Sequence, residues 1–193
     1  MRFVEAGALD DLSYEEITSS LHPEPGDTVY VSRLRDGREV KISREKIIPL
    51  LQRRIKQLET EVSIIAILCS GEFPKFKSKV PLLFPEKLLK AFVASIVGQS
   101  DRLGVIIPLR EQINYAKNKW RKFSKNLEVT HISPYSSGDE EFKKVAEELK
   151  SVDFIVLDCI GYSLHHNRVI KEITNRCVVS TRSVLLAALK GFS

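Results

Sequence analysis

Phe154-Ile155-Val156-Leu157-Asp158-Cys159-Ile160-Gly161-Tyr162 and Ile64-Ile65-Ala66-Ile67-Leu68-Cys69-Ser70-Gly71-Glu72 are two copies of one phrase. Each is a continuous apolar run closed by Cys-x-Gly. A run rich in Ile, Val and Leu predicts a strand buried on both faces, as in a parallel sheet. The Cys then falls at the carboxyl end of the strand, and the Gly opens a tight turn beyond it. In open α/β sheets that end is where ligands bind. If the two halves of the chain are related by a pseudo-twofold, the two thiols face one another across one cleft. Free cysteine is also among the most buried residue types and serves as a small hydrophobe. Pattern alone therefore leaves catalysis and core packing both open.

Working outward, the phrases sit in a chain of strands alternating with helices. Phe3–Ala6 reads as a short strand. Ser13 and Glu16 form a capping box for a helix from Tyr14 to Leu21. Thr28–Leu34 alternates apolar and polar residues, Asp36-Gly37 signals a type I′ turn, and Val40 and Ile42 continue a return strand, giving a β-hairpin. Ser43 caps a helix carrying Ile47, Leu50, Leu51, Ile55 and Leu58, with Pro49 inside it. Val62–Leu68 is the first Cys strand, followed by a loop holding Pro74 and Pro81. Pro85 opens a helix to Val97. Strands at Leu103–Ile107, Leu127–Ile132, Phe154–Asp158 and Cys177–Val179 then alternate with helices at Pro108–Phe123, Asp139–Lys150, around Val169–Ile173, and Val184–Phe192. This alternation predicts an α/β protein with parallel sheets. Gly98-Gln99-Ser100-Asp101 is the boundary between halves. The expected lobes are 1–98, completed by a C-terminal helix over 180–193, and 99–179.

Composition narrows the function classes. The chain has 193 residues, 43% hydrophobic and 28% charged, which is ordinary for a globular protein. No apolar stretch has the length of a membrane span, and the opening Met1-Arg2-Phe3-Val4-Glu5 lacks a signal-peptide core. Three cysteines without short-range pairing fit a reducing cytoplasm. No His/Cys cluster has zinc spacing, and the adjacent His165-His166 point in different directions on a helix, so no metal is expected. The net charge of +5 concentrates in Lys75–Lys79 and Lys117–Lys122. The latter reads as the solvated face of a helix whose apolar stripe is Ile113, Ala116 and Trp120. The former reads as surface, or as cations near an anionic substrate. No nucleic-acid module is present, and neither nucleic acid nor membrane is expected as a partner. No dinucleotide fingerprint, P-loop or GxSxG elbow occurs, which argues against NAD, ATP and serine-hydrolase chemistry and leaves no cofactor expected.

Several phrases together resemble the AroM family. They are Val4-Glu5-Ala6-Gly7-Ala8-Leu9-Asp10, Gly26-Asp27 with Arg33-Leu34-Arg35-Asp36-Gly37, Leu68-Cys69-Ser70-Gly71-Glu72-Phe73-Pro74, Gly104-Val105-Ile106-Ile107-Pro108, Lys119-Trp120 and Leu157-Asp158-Cys159-Ile160-Gly161-Tyr162. The resemblance covers nearly the whole chain. The family has no established activity and in turn resembles the aspartate/glutamate racemase superfamily, which includes amino-acid and hydantoin racemases, maleate isomerase and arylmalonate decarboxylase. That resemblance implies two pseudo-twofold-related α/β lobes with parallel sheets, here with a β-hairpin insertion. It also implies one Cys per lobe at the site, matching Cys69 and Cys159. The family's usual opening strand and Gly-Gln-Ser-Pro-Arg loop have no counterpart here. Phe3–Ala6 is therefore expected to be poorly paired, and the chain to be less stable and less active than one with that strand restored.

The resemblance implies cofactor-independent proton transfer on a small carboxylic acid, as in a racemase or isomerase, with Cys69 and Cys159 as the catalytic pair. Backbone N–H groups at Ser70-Gly71 and Ile160-Gly161 are expected to hold the carboxylate or enolate. Glu72, Tyr162, Ser180, Thr181 and Arg182 complete the expected substrate contacts. Asp158, preceding Cys159 on a strand, is expected to point to the opposite face. Cys177 reads as plain core. The alternative function is a binding or regulatory protein that senses a small acid in the same place without turning it over. Either reading leaves room for a homo-oligomer.

Overall fold

A computed structural model describes Arg2 to Phe192. The chain divides into two units, one of residues 1–67 and 71–84, the other of residues 68–70 and 85–193. The division falls at Phe84/Pro85 rather than at Gly98, and both the helix opened by Pro85 and the C-terminal helix belong to the second unit. No helix among the described residues is long and apolar enough to cross a membrane.

The first unit begins with α1 (Tyr14–Ser20), closed at its start by the reciprocal Ser13–Glu16 capping box. Strands β1 (Val29–Arg33) and β2 (Glu39–Ser43) form an antiparallel hairpin with Tyr30 opposite Ile42. Its connection is not type I′. Only Gly37 has positive φ, the Gly37 N–H returns to the Leu34 carbonyl, and the Leu34 N–H bonds the Arg38 carbonyl. That pattern is a three-residue loop ending in a left-handed glycine. Helix α2 (Arg44–Leu58) follows directly, with Ser43 as N-cap. Phe3–Ala6 forms no strand, and Phe3 is exposed.

The first Cys strand is much shorter than Val62–Leu68. Only β3 (Ile65–Ala66) pairs, in parallel with β4 (Leu82–Leu83), which the sequence had placed in a loop. The Ile65 and Ile67 N–H groups extend this ladder to the carbonyls of Pro81 and Leu83. The partner is hemmed by Pro81 and Pro85, which lack N–H donors, so pairing cannot spread further. Burial alternates along this run and Leu68 is exposed, so the strand is not buried on both faces.

The second unit contains α3 (Pro85–Ile96), β5 (Arg102–Ile107), a 3₁₀ turn (Arg110–Gln112), α4 (Ile113–Trp120), β6 (Asn126–His131), α5 (Asp139–Glu148), β7 (Phe154–Leu157), α6 (Leu164–Thr174), β8 (Cys177–Ser180) and α7 (Thr181–Lys190). Its four strands are all parallel in the order β6-β5-β7-β8. Here the sequence expectation of an α/β parallel sheet is met, and β7 is the buried strand that its apolar run predicts. Alternate residues serve opposite faces. Ile106, Ile155 and Leu157 pack with Phe142, Ala146, Val169 and Ile170 of α5 and α6. Leu103, Val105, Ile107 and Val156 pack with Leu89, Val93, Ala116, Trp120 and Val184 of α3, α4 and α7. Cys177, read as core, is exposed at the start of β8.

Candidate active site

Strand order fixes where the second unit is most open to a ligand. The chain moves from β5 to β6 on one side, then crosses to β7 and β8 on the other. The carboxyl ends of β5 and β7 therefore diverge at a topological switch point, the general binding position of doubly wound sheets. Asp158 and Cys159 lie there. The Asp158 N–H continues the ladder to the Ile106 carbonyl at 2.9 Å.

The pleat sends these two neighbours to opposite faces, as expected. Cys159 joins the α5/α6 core and is 6% exposed. The Asp158 carboxylate turns towards α4, where Lys119 Nζ approaches its two oxygens at 2.8 and 2.9 Å and Trp120 Nε1 donates at 2.7 Å. Lys119 also donates to the Ser70 carbonyl at 2.8 Å, and Ser70 Oγ donates to the Asp158 carbonyl at 3.0 Å. Ser70, the residue after Cys69, is thereby tied to the Asp158–Cys159 peptide and, through Lys119, to the Asp158 carboxylate. The reading of Lys117–Lys122 as a solvated face fails at Lys119, whose side chain is 1% exposed.

Burial pushes the Cys159 thiol up to about 12. The Gly161 N–H, which donates to Sγ at 3.4 Å, works against this. Negative charge at Cys69 and Asp158 adds to the rise, while a hydrogen bond from Tyr135 opposes it. At neutral pH Cys159 is thus a protonated thiol, able to give a proton. Cys69 is half-buried.

The turn after Cys159 is built by close approach. A Cβ on Gly161 would stand 2.5 Å from the Tyr135 hydroxyl oxygen and 2.8 Å from Pro134 Cγ, so only glycine lets the loop after β6 lie against the thiol. Arg182 holds the same turn from α7, its Nε and Nη2 donating to the Ile160 carbonyl at 3.2 and 2.9 Å. Tyr162 is fully buried, with its hydroxyl donating to the Ile132 carbonyl at 2.8 Å; burial holds that phenol well above the usual tyrosine range. Ser180 and Thr181 are also fully buried. Ser180 caps α7 through the Ser183 N–H, and Thr181 Oγ1 donates to the Leu157 carbonyl. These three hydroxyls form the frame around the site.

Of the residues singled out in the sequence, Cys69, Ser70, Cys159, Ile160, Gly161, Tyr162, Ser180, Thr181 and Arg182 fall in the second unit. Gly71 and Glu72 belong to the first, where Tyr30 lies against Gly71 and donates to the Glu72 carbonyl at 2.9 Å. His165 pairs with Asp139, while His166 Nδ1 accepts the Ser163 N–H and its ring stacks on Phe142. Sequence reasoning gave Lys119 and Tyr135 no role in the site. Lys119 was findable, since it lies three residues from Ala116 and shares the buried side of the helix with it. Tyr135 carried a weaker signal, its place just beyond the carboxyl end of the Leu127–Ile132 strand.

The profile of the AroM protein family matches residues 1–190. No curated protein matches the chain in sequence. Among solved structures, allantoin racemase from Klebsiella pneumoniae superposes with a TM-score of 0.56 at 15% identity, covering 84% of this chain and 69% of that one. A mutant of arylmalonate decarboxylase in its liganded form gives 0.57 at 10% identity, covering 93% and 86%. Glutamate racemase from Francisella tularensis in complex with D-glutamate gives 0.50 at 19% identity, covering 81% and 67%. At these identities the likeness establishes a shared fold.

Proposed function

The chain belongs to the AroM family, and from that premise we propose that it catalyses cofactor-independent proton transfer at the carbon beside a carboxylate of a small organic acid. The observation that supports this reading is the Ser70–Asp158 hydrogen bond, which joins the residue after Cys69 to the residue before Cys159. The racemases and the decarboxylase that share the fold, one of them bound to D-glutamate, support a small carboxylate as the ligand class.

In the proposed step the Cys69 thiolate takes the proton from the α-carbon, and the C–H electron pair passes into an enolate. The Cys159 S–H bond then breaks, its proton going to the opposite face of that carbon and its electron pair staying on sulfur. Burial keeps Cys159 protonated until the enolate forms, which matches a proton donor to its task. In this reading Arg182, bonded to the Ile160 carbonyl, supplies positive charge near the turn, and the Gly161 N–H that meets the thiol supplies the close backbone approach that a carboxylate needs. A reducing, cytoplasmic setting suits a mechanism that needs both thiols reduced.

Incubation with a panel of amino and hydroxy acids in D₂O tests the proposal. Deuterium should enter the α-position of at least one acid and be lost in Cys69→Ser and in Cys159→Ser. Exchange that survives both substitutions removes the thiols from the mechanism. A second reading, binding of a small acid without turnover, is favoured by the deep burial of Cys159. It predicts that an acid protects the thiols from alkylation while no deuterium is incorporated.

A further inference from the structure

We propose that Lys119 is a positioning residue whose ammonium latches the Ser70 carbonyl, one residue beyond Cys69, to the β7 strand end, an assignment that rests on reading Cys69 and Cys159 as the proton-carrying pair. Its donors are directed at both Asp158 oxygens and at the Ser70 carbonyl. Asp158 is itself fixed by Trp120 Nε1. Ser70 is gripped twice, through its carbonyl by Lys119 and through its hydroxyl by the Asp158 carbonyl. The residue next to Cys69 is thus bonded to the residue next to Cys159 by two independent routes.

Stability alone gives no reason for the arrangement. Burying a carboxylate and an ammonium costs desolvation that their attraction barely repays, and an apolar pair of similar volume is often as stable or more so. An apolar side chain of similar length at position 119, such as Met, would fill the space but could not hold a main-chain carbonyl. The charge is needed where the Cys69 loop must be held in one place, since proton transfer falls steeply when reacting groups are displaced by about 1 Å.

Hydrogen–deuterium exchange of the full chain, without any substrate, tests the latch. Lys119→Met removes the donor. Lys119→Met combined with Asp158→Asn also removes the uncompensated charge and keeps an acceptor for Trp120, so it carries the test if the single variant does not fold. In the folded variant, peptides covering Leu68–Ser70 should exchange faster by about ten-fold or more, the scale of losing a charge-assisted hydrogen bond, while β5 and β7 remain protected. Iodoacetamide should modify Cys69 faster in step. Unchanged protection at Leu68–Ser70 overturns the proposal, and so does equal loss of protection in β5 and β7, which would make the pair a general structural element. Absence of substrate deuteration would sink the proposed chemistry and leave this outcome untouched.

Discussion

Ser70 Oγ donates to the main-chain carbonyl of Asp158 at 3.0 Å, across 88 residues of sequence, and both residues are buried. The bond joins the neighbour of one cysteine to the neighbour of the other. Ser70→Ala leaves that buried carbonyl short of a partner, which should cost about 1–3 kcal/mol. Urea unfolding checks the magnitude, and loss of less than a few tenths of a kcal/mol would show that the bond contributes nothing to the fold.

Cys159 makes the alkaline limb of stability steeper. In the unfolded chain a cysteine ionises near its ordinary value of about 8.5, whereas the folded thiol is pushed up to about 12 by burial. Between those values the folded state holds a proton that the unfolded state has lost. The stabilisation is therefore complete below about 8.5 and declines as pH rises, by about 1.4 kcal/mol per pH unit. Denaturation between pH 8 and 10 should show this slope in the native chain and a shallower one in Cys159→Ser. Parallel slopes would mean that the thiol ionises normally in the folded protein.

Tyr135 tunes the same thiol in the opposite sense, by hydrogen bonding to it. Tyr135→Phe keeps the ring and removes the hydroxyl. The thiolate of Cys159 loses a stabilising donor, so its alkylation at fixed alkaline pH should slow by roughly ten-fold, as for loss of a hydrogen bond to a charged group. The rate is followed in a Cys69→Ser/Cys177→Ser background. Faster alkylation would show that Tyr135 shields the sulfur rather than stabilising its anion.

The second unit was largely legible in the sequence because its strands announce themselves by uninterrupted burial. Phe154–Leu157 has a paired strand on either side, so both its faces and both its edges are covered, and an apolar run is the only composition that fits. The matching run at Ile64–Leu68 has the same letters but a two-residue partner held between prolines, and no local pattern reports the length of a partner strand. The candidate site divides in the same way. Cys159 and Gly161 are fixed by their own strand and turn, so their positions followed from the phrase itself. The helical spacing from Ala116 puts Lys119 on the buried side, but its role was not legible, because a lysine within a basic run is usually solvated and its buried acceptor, Asp158, lies 39 residues away. Tyr135 reaches the thiol only through a loop whose course depends on Gly161 having no side chain.

That dependence makes Gly161→Ala an informative substitution. The new methyl would stand 2.6 Å from Tyr135 Cζ and 2.8 Å from Pro134 Cγ, closer than packed carbon atoms come, so the loop after β6 must withdraw. Overpacking of this kind costs about 1–3 kcal/mol. Withdrawal has two opposed effects on Cys159. It removes the Tyr135 hydrogen bond, which holds the thiol down, and it admits water, which relieves the burial that pushes the thiol up. Burial is the larger of the two causes, so ionisation should become easier. Gly161→Ala is therefore expected to speed alkylation of Cys159, the reverse of Tyr135→Phe, while lowering the unfolding midpoint. Slower alkylation in both variants would show that hydrogen bonding outweighs burial in setting the reactivity of this thiol.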